Sequence, residues 1–164
     1  MSAAATLVLA AASVWLTAAV SLSIIDQRTR TLPTRVIWPT AAAVWMLYSI
    51  AALISGVPGG LRDAAIGALV CGTPLVAIHL IHPPSMGFGD VRFGVLNGLL
   101  CGWWGWHVAL VGLTAGFFIA LPEALVVMVR HGPRSGRPLG PYLAAGTAAA
   151  VGWAMATSGV VPAG

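Results

Sequence analysis

Gly87-Phe88-Gly89-Asp90-Val91-Arg92-Phe93-Gly94-Val95-Leu96-Asn97-Gly98-Leu99-Leu100-Cys101-Gly102 reads as an apolar helix that opens on an acid set in a glycine turn. Asp90, Gly94, Gly98 and Gly102 recur every four residues, so they share one helix face. Small residues at that spacing let a neighbouring helix come close, as they do between membrane helices. The acid therefore begins a stripe built for tight packing.

The rest of the chain sets that helix among others like it. Of 164 residues, 59% are hydrophobic and 7% are charged. A soluble domain of this size covers its core with charge, and too little charge is present to do so. Apolar runs near 20 residues match the thickness of the hydrocarbon layer. They are apolar on every side, so they fit helices and not the alternating strands of a barrel. Six spans are predicted, at about 4–25, 36–56, 63–82, 90–106, 108–130 and 139–160. The connections are short and no linker divides the chain, which predicts one all-α integral membrane domain over 1–164, a compact bundle of six transmembrane helices. The first run lacks the basic start of a cleaved signal peptide, and more spans follow it.

All eight basic residues are Arg, giving a formal charge of +4. They lie between apolar runs, which is the pattern of topology signals and excludes a nucleic-acid surface. Arg28, Arg30, Arg35, Arg92, Arg130, Arg134 and Arg137 fall on odd-numbered connections, and Arg62 alone on an even one. The positive-inside rule then puts the odd connections in the cytoplasm and both termini outside. Trp103, Trp104 and Trp106 fall where an outer aromatic belt is expected.

The chain holds four acids: Asp26, Asp63, Asp90 and Glu123. In this threading Asp26 ends span 1 and Asp90 begins span 4, both at the cytoplasmic face, while Asp63 lies at the other. Two neighbouring carboxyls that hold one proton between them are the apparatus of aspartic hydrolysis. Each acid taken alone also has a plain structural reading: Asp90 as a helix N-cap, Asp26 as a partner of Arg28 or Arg30. Ala12, Ala19 and Ser23 share the face of Asp26, and the expectation is that span 1 packs near the glycine stripe.

Three segments together resemble one family. Gly87-Phe88-Gly89-Asp90-Val91-Arg92 is similar to the GxGDxK motif of the type IV prepilin peptidases, bacterial membrane aspartic proteases. Asp26-Gln27-Arg28-Thr29-Arg30-Thr31-Leu32-Pro33-Thr34 resembles their first-aspartate motif, which runs on to Ile-Pro-Asn. Pro138-Leu139-Gly140-Pro141-Tyr142-Leu143 resembles their late Pro-Phe-Gly-Pro-Phe-Leu segment. Arg92 stands for the usual Lys and Thr34 for the usual Asn. The resemblance implies Asp26 and Asp90 as catalytic, with Gly87, Gly89, Arg92 and Pro33 as motif support. It implies no metal or cofactor, and a prepilin-like substrate with a basic leader cut after Gly. The larger relatives carry a methyltransferase region with two CxxC pairs. Cys71 and Cys101 form no such pair, so a peptidase-only form in the bacterial cytoplasmic membrane is expected. Presenilin and signal peptide peptidase also use GxGD, but with a Tyr before the first Asp, which Asp26 lacks.

Glu123 follows Pro122 inside span 5. An ionisable residue there marks either support at a kink or substrate positioning. His79 and His82 share a face at the end of span 3 and read as interfacial. Asn97 is expected to bond another helix. The loop Pro83-Pro84-Ser85-Met86 reads equally as a gate and as a stiff connector. The alternative from another class is a non-enzymatic membrane protein, a small transporter or assembly subunit. Such a transporter would place its polar groups mid-bilayer, where only Glu123 and Asn97 qualify.

Overall fold

A computed structural model gives the architecture, and it describes residues 2–81, 86–131 and 138–161. Six α-helices follow one another: α1 (Ala3–Thr29), α2 (Thr34–Ser55), α3 (Pro58–Ile81), α4 (Phe88–Gly102), α5 (Trp106–His131) and α6 (Gly140–Ser158). No other element occurs among the described residues. The all-helical expectation holds. Three whole helices, α1, α2 and α3, and Trp106–Val127 of α5 are long and apolar enough to cross a membrane. Large apolar side chains face outward from these helices, with Leu53 and Ile81 each 83% exposed. A surface so apolar needs lipid around it.

The other two helices depart from the span pattern. α6 is mostly Ala, Gly and Thr, which carry little apolar surface. α4 starts earlier than expected and has only 15 residues, about 22 Å of rise against the roughly 30 Å of hydrocarbon. Its position explains its length. α4 touches all five other helices and is buried almost all round, so lipid thickness does not set its extent.

The glycine stripe is a packing face, but its partner is α3 and not α1. A methyl on Gly98 would collide with the Gly67 carbonyl, one on Gly94 with Leu75, and one on Gly102 with the Asp63 and Ala64 backbone. α3 carries its own small residues, Gly67 and Cys71, at this contact, so two slim faces meet. Sequence spacing identifies such a face but cannot name its partner. The helix α1 instead buries Val8, Ala11, Trp15, Ala18, Ala19, Leu22 and Asp26, while Ala12 and Ser23 are half-exposed. It reaches α4 through Trp15, whose Nε1 donates to Asn97 Oδ1 at 2.9 Å. The bond expected of Asn97 is therefore present.

The far end of α4 is closed by aromatics. Tyr48 donates its hydroxyl to the Leu100 carbonyl at 2.9 Å and packs on Trp103, ring centroids 4.6 Å apart. Trp104 donates to the Gly159 carbonyl at 2.9 Å. Trp103 and Trp104 are buried and only Trp106 is exposed, so this cluster is mainly a plug and not the aromatic belt. The reason is the turn between α4 and α5, which folds two of the rings back under the bundle. Cys71 and Cys101 are free and buried, as expected of small apolar side chains.

Candidate active site

The acids are delivered from different helix ends. α1 stops at Arg30, whose backbone is left-handed (φ 54°) and whose N–H closes on the Asp26 carbonyl at 2.8 Å. Asp26 thus lies in the last full turn. The chain then turns through Thr31 and Leu32 to Pro33, which caps α2. On the other side Gly87 is the N-cap of α4, which puts Asp90 at the third helical position. The N-cap reading of Asp90 is therefore displaced by three residues. The Gly87 N–H reaches back to the Asp90 carboxylate, the reciprocal half of a capping box.

Two contacts fasten these ends together. The Gly89 backbone lies against Leu32, and a Cβ at Gly89 would stand 2.8 Å from that of Leu32. Gly89 is small because the loop after the first acid packs directly on it. Arg92 Nη1 donates to the Thr34 hydroxyl, and its guanidinium lies 4.5 Å from the centre of the Phe88 ring. The threonine in place of the family's asparagine still offers Arg92 an acceptor.

The outcome is that Asp90 comes within range of the Asp26 charge. Asp26 is buried, 4% exposed, and turns its Oδ2 to the Gly140 N–H at 3.0 Å, not to Arg28 or Arg30, which are exposed. Asp90 is half-buried, and its Oδ1 is a buried oxygen with no hydrogen-bond partner among the described residues. Asp63 is elsewhere, with its backbone against Gly102 at the opposite end of α4, about 18 Å of helix rise from Asp90.

Beside Asp26 a groove of about 330 Å³ runs between α1 and α6. Its lining includes Ser23 and Gln27 next to Asp26, and Pro141 next to Gly140. The remaining candidates stay outside the acid pair. Glu123 is exposed on α5, in a stretch (121–126) that is exposed throughout. His79 bonds the Met86 carbonyl through Nδ1 at 2.9 Å, which ties the end of α3 to the turn before α4. His82 and Pro83 to Ser85 lie outside the described residues, as do Arg134 and Arg137.

Gly140 belongs to the late motif-like segment, but motif reading gave it no role beside Asp26. Nothing local says that its N–H meets an acid 114 residues earlier. The family model described as the type IV leader peptidase family matches residues 8–128, which include both acids. No curated protein and no solved structure gives a significant match.

Proposed function

The chain belongs to the type IV leader peptidase family, and from that premise we propose that it is an aspartic endopeptidase that removes the basic leader of prepilin-like membrane precursors. Membership favours a peptidase over the transporter or assembly-subunit alternative. The observation that carries the aspartic reading is the fastening of the turn after Asp26 to the start of α4, Gly89 against Leu32 and Arg92 to Thr34, which sets Asp90 within range of the Asp26 charge.

The chemistry needs only these two groups and water. Two carboxyls at close range hold one proton between them. The ionised one takes a proton from a water molecule as that water attacks the scissile carbonyl. The protonated one donates a hydrogen bond to the carbonyl oxygen as negative charge develops there. Gly87, Gly89, Pro33 and Arg92 hold the two ends in register. No methyl transfer is assigned, since the two cysteines are buried in separate helices.

In this reading all six helices cross the bacterial cytoplasmic membrane, with α4 shielded inside. The arginine bias puts the acid end at the cytoplasm and both termini outside. A substrate whose leader is cytoplasmic and whose apolar helix lies in lipid would then present its junction at the depth of the acids. Arginines near this face suit anionic headgroups.

Co-expression of a prepilin with the native chain, Asp26→Asn and Asp90→Asn tests the proposal by the gel shift of the leader. Either substitution is expected to lower processing by at least ~100-fold. Full processing by either variant would end the aspartic mechanism.

A further inference from the structure

We propose that Gly140 is a positioning residue for the acid pair: its backbone N–H holds the Asp26 carboxyl in place, and its missing side chain is what lets that carboxyl fit. This rests on the reading of Asp26 and Asp90 as the catalytic pair.

The first turn of α6 explains why Gly140 has a donor to give. The leading N–H groups of a helix have no partner within it. Pro141, the next residue, has no N–H at all. Tyr142 and Leu143 both turn back to the Leu139 carbonyl, at 3.2 and 3.1 Å. Gly140 is thus the first-turn donor left to point away from α6, and Asp26 Oδ2 receives it at 3.0 Å. Among the described residues it is the only hydrogen bond of the Asp26 side chain.

Space makes the same demand. A Cβ on Gly140 would stand 2.8 Å from Asp26 Oδ2 and 3.4 Å from its Cγ. Any larger residue must push the carboxyl away or move α6. Gly140 has no left-handed φ, so close approach and not backbone conformation requires the glycine here. Charge adds to the fit, because the positive end of the α6 dipole faces a carboxylate. The late helix, which supplies no acid, thereby sets the orientation of the first one.

The decisive variant replaces the N–H by oxygen and adds no side chain, with a weaker acceptor at the Leu139 carbonyl as its one further change. Glycolic acid in place of Gly140 gives a backbone ester with no added side chain. A matching ester at Leu143, whose N–H serves only its own helix, controls for the altered backbone. Steady-state cleavage of a prepilin in detergent is the readout. The ester at 140 is expected to lower kcat by about tenfold to a hundredfold with KM unchanged, and the ester at 143 to leave kcat near native. Gly140→Ala should likewise lower kcat, by displacing the carboxyl. Native kcat in the ester at 140, an equal loss in both esters, or a change confined to KM would each overturn the proposal. If that happens while Asp26→Asn and Asp90→Asn are inactive, the acid pair stands and only Gly140 falls. Active aspartate variants would remove both.

Discussion

Each acid is held by a backbone N–H at a helix start, Asp90 by Gly87 of its own helix and Asp26 by Gly140 of α6. The two glycines differ in the room they leave: a Cβ on Gly140 would stand 2.8 Å from Asp26 Oδ2, whereas one on Gly87 would meet Asp90 Oδ2 at an ordinary 3.4 Å. The Arg92–Thr34 bond joins the two ends through side chains, and a hydrogen bond to a charged group is worth about 1.5–3 kcal/mol. Thr34→Val is therefore expected to lower thermal stability in detergent and to cut processing several-fold. Thr34→Asn, which keeps an acceptor, should retain most of both; equal damage from the two would show that the hydroxyl bond does not matter. Asp63 makes the contrasting case. With its backbone at the opposite end of α4, Asp63→Asn should process within about twofold of native in the same gel assay.

Among elements, α3 and α4 meet through their main chains. Gly98 and Gly67 approach backbone to backbone, and the collision of a new methyl there would be with main chain, which cannot rotate aside. Gly98→Ala is expected to cost about 1–3 kcal/mol or more, read as a lower unfolding temperature and a lower folded yield. Gly152→Ala on α6 meets open space and should hold or slightly raise stability. The link from α1 is different in kind. Trp15→Phe keeps an aromatic ring but leaves the buried Asn97 without its donor, a loss of about 0.6–2 kcal/mol between membrane helices. A matched fall in stability for Trp15→Phe and for Asn97→Leu, with no further fall in the double variant, would identify the bond as the shared cause.

Taken whole, the molecule is a bundle with α4 at its axis and the acids at one end. The proposed sidedness is testable by labelling. With Cys71 and Cys101 replaced by Ala, a single cysteine at Gly56 should react with an impermeant maleimide added to intact cells, and one at Thr31 only after lysis. The reverse pattern would put the acids outside. Much of this was already written in the chain. Apolar runs broken by arginine and glycine determined that it is helical and belongs in a membrane, because lipid leaves a backbone few other ways to satisfy itself. The acid-bearing motifs also single out Asp26 and Asp90, and arginine placement with apolar length assigns both to one face. What local sequence could not carry was partnership. A stripe of glycines shows that something packs closely, yet α3 and not α1 fills it, because only the fold decides which small face comes opposite. The length of α4 follows from its enclosure, a property of its neighbours. The bond from Gly140 to Asp26 spans 114 positions and arises from a backbone N–H that every non-proline residue has, so no residue type could announce it; only the docking of α6 against α1 brings that donor to the acid.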